Sequence, residues 1–309
     1  MLGIIWKLLS LLGPVALGYF LKKIGFFGPK DYRILSKIAI NVTLPCAVIS
    51  SFAESDMDLS YLVLALIAFI ANWVVLLFGY FSTRSMADRP KDRMTTMLCA
   101  SGYNLGNFLI PFVQQFLGSA GVASVAIFDS GNSLMCTGGI YVFTTSMIRT
   151  SDSEKVTLWG IIKKLITSVP LVTYVVMIVL MLLGIAIPSP VATIVSTTGN
   201  ANGFVSMFMI GLMFEIRFDS AYMKSAMAIL WRKYLCSIVF AVVVYFLLPL
   251  SLATRQVLTL IAFAPIPSLG SIYTEQAKGD VGLASFATSL SFIISCCIIV
   301  ALIMVMGLV

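Results

Sequence analysis

The sequence has no histidine and few charged residues. Of its 309 residues 20 are basic and 13 are acidic, which makes 11% charged, against about 25% in ordinary soluble domains. A chain of this length would form one or two soluble domains, and this much charge cannot cover their surfaces. The composition therefore excludes a soluble enzyme, a disordered chain and a nucleic-acid-binding module.

The six cysteines lack the spacing of a metal site or of a disulfide framework. All of them lie in apolar runs, none forms a CxxC pair, and histidine adds no further ligands. We therefore predict no metal and no cofactor, with the cysteines acting as small buried hydrophobic side chains. The motifs HExxH and GxSxG are absent as well, so we do not expect an enzyme.

Long apolar runs make up most of the chain. Hydrophobic residues account for 60% of it, and the mean hydropathy is +1.03. A helix needs about 20 apolar residues to cross a bilayer, whereas the strands of membrane barrels alternate apolar and polar residues. We predict an all-α integral membrane protein with ten transmembrane helices, at about 3–21, 33–52, 60–82, 94–117, 121–148, 166–187, 190–214, 227–249, 255–277 and 281–308.

The positions of the basic residues predict the orientation. Every Lys and Arg except Lys7 and Arg255 lies in or beside the links that follow spans 1, 3, 5, 7 and 9. Cytoplasmic loops carry such an excess, so we predict both termini on the extracytoplasmic side of the cytoplasmic (inner) membrane. The net charge of +7 is then a topology signal, the partner is the lipid bilayer, and no nucleic acid is expected.

Two segments of the chain resemble each other. Residues 118–126 (GSAGVASVA) and 279–287 (GDVGLASFA) are identical at five of nine positions, and Gln115 and Gln276 match at the same offset. Both segments link the fourth and fifth spans of their halves, although small residues in membrane helices also match by chance. We predict two five-helix repeats, 1–150 and 151–309, of which the second is inverted, as in many secondary transporters.

Spans 4 and 9, the fourth members of the two halves, contain Gly and Pro at mid-membrane. Both residue types interrupt helices, and unpaired backbone at this depth persists only against protein or a water-filled cavity. We predict crossing broken helices whose half-helix N-termini, near 106–107 and 269–271, bind an anion such as a carboxylate. Simple proline kinks and helix capping are the alternatives. The predicted substrate-binding residues here are Asn104, Gly106, Asn107, Pro111, Pro265, Pro267, Ser268 and Ser271.

Two acidic residues lie inside the spans. Asp129 in span 5 has Asn132 on the same helix face, and Glu275 in span 9 adjoins Gln276. Because a carboxylate in the membrane is costly, we predict these four as ion-coupling residues for H+ or Na+. The alternatives are a structural polar clamp at Asp129 and an interfacial pair of Glu275 with Lys278. We place no Lys or Arg deep in any span, so helix ends rather than a fixed cation are expected to hold the substrate.

Several of these motifs resemble the auxin efflux carrier family of membrane transporters, which includes bacterial malonate and malate permease-type proteins. The similar motifs are Asn41-Val-Thr-Leu-Pro45 in span 2, Asn104-x-Gly106-x4-Pro111 in span 4, Asp129-x-x-Asn132 in span 5, and 265–275 with the following Gly279-Asp280. The resemblance covers essentially the whole chain.

The resemblance implies a fold shared with bile acid–sodium symporters. Spans 1, 2, 6 and 7 would form a scaffold that makes a homodimer, with Pro45 shaping its substrate-facing wall, and spans 3–5 and 8–10 would form a moving core. The expected function is secondary active or potential-driven transport of a small organic anion by an elevator mechanism. Two alternatives stay open: a sodium-coupled symporter of the bile-acid type, with Asn104, Asn107, Glu275 and Gln276 as ion ligands, or a non-transporting membrane sensor.

Overall fold

The regular elements of the structure are helices. A computed structural model describes residues 2–28, 30–55, 58–148, 157–214 and 220–308, and within these ranges the predicted all-α class is confirmed. The helices are α1 (Leu2–Lys23), α2 (Tyr32–Ile38), α3 (Leu44–Ala53), α4 (Val63–Ser82), α5 (Pro90–Ala100), α6 (Ile110–Leu134), α7 (Ile140–Met147), α8 (Leu158–Ile166), α9 (Val169–Leu182), α10 (Ser189–Asn200), α11 (Asn202–Met213), α12 (Ser220–Val242), α13 (Leu252–Ala262), α14 (Leu269–Gln276) and α15 (Val281–Val305).

Short helical turns lengthen or join several of these helices. A 3-10 turn precedes α4, and π turns join α2 to α3 and α6 to α7, begin α6 and extend α12. The continuous stretches are therefore longer than the single helices. The turns are Leu59–Leu62 before α4, Ala39–Thr43, Leu105–Leu109, Met135–Gly139 and Val243–Leu247.

Among the described residues, five stretches are long and apolar enough to cross a membrane, and a sixth exists if α8 and α9, bent by 70°, count as one span. The protein is thus a multi-pass membrane protein. Along α9 the apolar side chains of Val172, Val175 and Val179 are exposed, as expected of a surface that lipid covers. The five stretches are Tyr32–Ala53, Leu59–Ser82, Leu105–Met147, Tyr222–Leu247 and Val281–Val305.

Three of the ten predicted spans are divided, which accounts for part of the difference. Predicted span 1 forms the continuous helix α1 (Leu2–Lys23), which is not among the five stretches. Predicted span 4 is split after α5, span 7 between α10 and α11, and span 9 between α13 and α14. Conversely, Leu105–Met147 has 43 residues, about twice what one crossing needs. It bends at Gly118, whose φ of +63° favours glycine, at the link predicted between spans 4 and 5. The ten-span inverted repeat stays a prediction.

Both predicted mid-span interruptions are present as non-helical backbone. Residues 101–104 separate α5 from the π turn that begins α6, and residues 263–268 separate α13 from α14. Gly102 adopts a φ of +85° in the first, and Pro265 and Pro267 lack backbone N–H groups in the second.

Glycines allow two pairs of helices to approach closely. A Cβ atom on Gly18 of α1 or on Gly211 of α11 would overlap a backbone carbonyl of the other helix. A Cβ atom on Gly131 of α6 would overlap the carbonyl of Ala65 in α4. Small residues support such approaches between membrane helices, where dispersion contacts replace the hydrophobic effect. The α4–α6 contact fixes the face of α6 that carries Asp129 and Asn132.

Candidate functional site

The two interrupted segments contact each other. The backbone N–H of Asn104 donates a hydrogen bond of 3.1 Å to the carbonyl of Pro265. A Cβ atom on Gly102 would lie 3.0 Å from Cγ of Pro267, so the absence of a side chain allows this approach. The interruptions predicted at equivalent positions of the two halves therefore lie against each other, and we call their contact the crossing.

Each interruption is followed by a helix that begins at the crossing. The helical backbone resumes at Leu105 and at Leu269, within two residues of the predicted starts. The residues that precede these starts, Asn104 and Ser268, make no side-chain capping hydrogen bond. First-turn N–H groups of a helix have no intrahelical partner and carry partial positive charge. Two such ends meet here.

A cavity of about 490 Å³ lies at this crossing. It contains most of the predicted site residues, although they come from three separate parts of the chain. Sequence reasoning missed Tyr103, Lys164, Tyr174 and Tyr273, which also line it. The predicted residues that line the cavity are Asn104, Gly106, Asn107, Asp129, Asn132, Pro267, Ser268 and Gln276.

Five predicted residues lie outside this lining. Pro45 and Pro111 are buried, and each lies two residues after the end of a π turn, Ala39–Thr43 or Leu105–Leu109. Pro265 contributes only its carbonyl, which accepts from Asn104. Ser271 lines a second cavity, and Glu275 is exposed on α14. Of the motif in span 2, Leu44 rather than the proline lines the first cavity.

Glu275 forms no ion pair with Lys278. Within the described ranges, the ion pair that is present is that of Arg89 with Asp92. The proposed interfacial pair of Glu275 is therefore absent there, and its ion-coupling role stays a prediction.

Asp129 and Asn132 form one hydrogen-bonded group with the interrupted segment. The Asn132 Nδ2 donates to Asp129 Oδ1 at 2.8 Å and to the Tyr103 carbonyl at 3.0 Å. The Asn132 Oδ1 accepts from the Tyr103 N–H at 3.3 Å and from Asn72 Nδ2 at 3.2 Å. Asn132 thus satisfies both backbone polar groups of Tyr103. The clamp alternative concerns Asp129, but the side chain that bonds the interrupted segment is that of Asn132, whereas Asp129 bonds Asn132 and lines the cavity.

Asp129 has a second partner from a distant part of the sequence. The hydroxyl of Tyr174 in α9 donates to Asp129 Oδ2 at 2.9 Å, and the Tyr174 side chain is buried. Because α9 and α6 are far apart in sequence, no local pattern points to this contact. The hydrogen bond joins the helix of the predicted fifth span to that of the sixth.

Several buried polar atoms at the crossing have no hydrogen-bond partner in the described structure. They are Nδ2 of Asn104, Oδ1 of Asn107 and the hydroxyl of Tyr103, and all three residues line the cavity. Buried polar groups are normally paired, so unpaired ones call for an explanation such as a ligand. The Asn104 Nδ2 is a donor, and an anion would satisfy it.

The structure corrects the expectation that no basic residue lies deep in a span. Lys233 is 2% exposed and Arg232 is 8% exposed, and both lie well inside α12. Sequence reasoning counted them as cytoplasmic flanks because the apolar window began at residue 227, whereas the helix begins at Ser220. The apolar run 226–231, which precedes these two residues, is the sequence feature that indicates their position inside the helix. Arg232 and Lys233 are therefore not counted among the basic residues that indicate topology.

A second, larger cavity of about 700 Å³ adjoins the first. Both are lined by Ser36, Ser268 and Ile272. Arg33 and Lys37, both exposed, add positive charge to the second cavity. This cavity therefore connects the start of α14 with a basic surface.

Comparisons with known proteins cover nearly the whole chain. The profile of a family described as membrane transport protein matches residues 4–307. The chain is also similar to an uncharacterized transporter of Methanothermobacter thermautotrophicus, with 26% identity over 291 residues that span 93% of each chain. Both matches include the two interruptions and the cavity between them.

Proposed function

The chain belongs to the membrane transport protein family, the auxin efflux carrier family that its motifs resemble, and we propose that it is a secondary transporter of a small organic anion. The substrate would be a carboxylate, bound in the 490 Å³ cavity where the two interrupted segments cross. The protein would lie in the cytoplasmic membrane with both termini outside, which the distribution of basic residues supports.

The unpaired donor of Asn104 is the observation that carries this proposal. Its Nδ2 atom is buried without a partner beside the helix start at Leu105, and the helix start at Leu269 adjoins the same cavity. Helix N-termini bind anions through free N–H groups and the helix dipole. Three features of one cavity thus favour negative charge. Interrupted helices that point at anionic groups are characteristic of secondary transporters.

The basic second cavity supplies a route for the anion. Arg33 and Lys37 lie on the side that the topology prediction assigns to the cytoplasm, and Ser268 connects them with the crossing. A basic approach raises the local concentration of anions and the association rate. The described conformation would then be one that is open to the cytoplasm.

The order of the elements also supports two inverted five-helix repeats, 1–150 and 151–309. In the first half, α5, an interruption, a helix and a bend at Gly118 precede a long helix. In the second half, α13, an interruption, α14 and a turn precede α15 in the same order. The similar segments 118–126 and 279–287 fall at the equivalent turns.

An elevator mechanism follows from a division into scaffold and core. We assign α1–α3 and α8–α11 to a dimerising scaffold, and α4–α7 and α12–α15 to a core that carries the cavity. Packing of α1 on α11 and of α3 on α10, and of α12, α14 and α15 with α5, supports this division. Relocation of the core would expose the bound anion to the other side.

Coupling to protons is the second part of the proposal. Asp129 lines the cavity and could exchange a proton with each transport cycle. Transport driven only by the membrane potential is the simpler alternative, in which each exported anionic charge gains about 2.3 kcal/mol per 100 mV.

Proteoliposome flux tests this function. Purified protein is reconstituted, and labelled dicarboxylates and indole acids are offered with pH, Na+ and membrane potential varied separately. We expect saturable flux of at least one carboxylate, with Asp129→Asn abolishing its pH dependence. No flux of any anion under any gradient would refute the transport proposal in favour of a sensor, and unchanged pH dependence in Asp129→Asn would refute its role in coupling.

A further inference from the structure

We propose that the ammonium group of Lys233 is a built-in cation of the crossing, which takes the place of a bound Na+ ion and positions the anion site. The expected effects of Lys233 on flux rest on the proposed transport function. The role of Lys233 as a cation is argued from its own contacts.

Lys233 contacts the interrupted segment directly. Its Nζ atom donates a hydrogen bond of 2.9 Å to the Gly102 carbonyl and lies 5.0 Å from the centre of the Tyr103 ring. A carbonyl and an aromatic face are both favourable partners of a cation. In the described part of the chain no carboxylate pairs with this lysine, so its partners are a backbone dipole and a ring.

The Gly102 carbonyl is at a place where cations bind in transporters with interrupted helices. Gly102 follows the C-terminal end of α5, where free carbonyls and the helix dipole give partial negative charge. Carbonyls of unwound segments and half-helix C-termini coordinate Na+ or H+ in such proteins. An ammonium group carries the same unit charge as Na+ and donates to the same oxygen. A tethered cation would make a bound Na+ unnecessary.

Lys233 acts on the cavity without lining it. Tyr103 lines the cavity and places its ring against the Lys233 ammonium, while Gly102 and Tyr103 immediately precede Asn104. Lys233 is therefore a positioning residue: it holds the backbone that presents the Asn104 donor, and it adds positive potential behind the site. Loss of its charge should weaken anion binding even though no substrate contact is removed.

Arg232 offers a matched control. It is buried on the same helix, but its guanidinium donates to the Ser82 hydroxyl and carbonyl, at 3.0 and 3.1 Å, at the end of α4. Arg232→Met thus removes a buried basic group from the same helix without touching the crossing. A defect that arises only from inserting an apolar side chain into α12 would occur in Lys233→Met and in Arg232→Met alike.

The test compares wild type, Lys233→Met, Lys233→Gln and Arg232→Met in detergent, by thermal unfolding in sodium, ethylammonium or choline chloride. We expect the midpoint of the Lys233 variants to rise by several degrees in Na+ or ethylammonium relative to choline, because these cations can occupy the vacated position. Wild type and Arg232→Met should show no such selectivity. Should Lys233→Met fail to fold, Lys233→Gln keeps one donor to Gly102 and gives the same comparison.

The flux arm uses the same proteins in liposomes. We expect Na+-independent flux in wild type, an increase in KM of about tenfold or more in the Lys233 variants, and partial recovery with ethylammonium. An equal response of wild type and the Lys233 variants to all three cations, with KM unchanged, would overturn the inference. Absence of any wild-type flux would refute the transport function, while the unfolding comparison would still decide the role of Lys233.

Discussion

The hydrogen bond between Tyr174 and Asp129 crosses the proposed boundary between scaffold and core. Tyr174 belongs to α9, which would stay fixed, and Asp129 belongs to α6, which would move. If the division is right, this bond must break whenever the core relocates. Tyr174→Phe removes the hydroxyl and leaves the ring in place, so it isolates the bond.

The size of the effect follows from the chemistry of the pair. A hydrogen bond to a charged group contributes about 1.5–3 kcal/mol. If wild type makes this bond in the described state and must break it before the core moves, removing the bond by Tyr174→Phe lowers the barrier to core relocation by that amount. Relocation should then accelerate by about 10-fold to about 150-fold, while the unfolding free energy falls by a similar amount.

A double-mutant cycle and an exchange assay measure these quantities. Unfolding of wild type, Tyr174→Phe, Asp129→Asn and the double variant gives the coupling energy of the pair, and anion counterflow in liposomes gives the relocation rate of Tyr174→Phe. Tyr234→Phe is the matched control, since its hydroxyl bonds the Ser291 carbonyl and the Ser295 hydroxyl, at 3.0 and 2.9 Å, within the proposed core. It should reduce stability without accelerating counterflow.

Two results would refute the reasoning in different ways. A coupling energy near zero would mean that the hydrogen bond contributes nothing to stability. A coupling energy of the expected size with unchanged counterflow would mean that α9 and α6 move together, which contradicts the proposed division.

Three further predictions test the site and its packing. Asn104→Ala should raise the KM for the anion by about 10-fold to about 150-fold, because a donor to a charged group is lost. A wild-type KM in flux assays would contradict the assignment of Asn104 to the anion site. Gly131→Ala should lower the thermal midpoint, since overpacking costs about 1–3 kcal/mol and its Cβ would meet the Ala65 carbonyl, whereas Gly203→Ala, with open space around it, should raise the midpoint slightly. Lys164→Gln, at the exposed edge of the cavity, should raise KM by up to about fivefold at low salt and less at high salt; a salt-independent effect would contradict an electrostatic role.

Local chemistry made part of the site predictable from sequence. Gly102, Pro265 and Pro267 interrupt helices by their own backbone properties, so the helix starts could be placed to within two residues. Asp129 and Asn132 are three residues apart on one helix, and the spacing alone brings their side chains together.

Tertiary packing determined what the sequence did not predict. Tyr174 reaches Asp129 from a helix that is apolar except for Thr173 and Tyr174 itself, and no acidic residue on that helix identifies the Tyr174 hydroxyl as a partner. Lys164 reaches the cavity because α8 lies at 70° to α9, an angle that no residue pattern encodes. Lys233 was misplaced because a helix can begin in polar sequence well before its apolar window.

Neighbouring elements bond several backbone groups of the interrupted segment. The Gly102 carbonyl accepts from Lys233, Asn132 bonds both backbone polar groups of Tyr103, and the Asn104 N–H donates to Pro265. A break in a membrane helix is costly only where backbone groups lack partners, and here the surrounding helices supply them. The unpaired side-chain atoms at the cavity belong to Tyr103, Asn104 and Asn107, and they lie beside the first-turn N–H groups of the two helix starts. A bound anion can therefore complete the hydrogen bonding of the site without being needed to hold the break together, which lets the site empty at each side of the membrane.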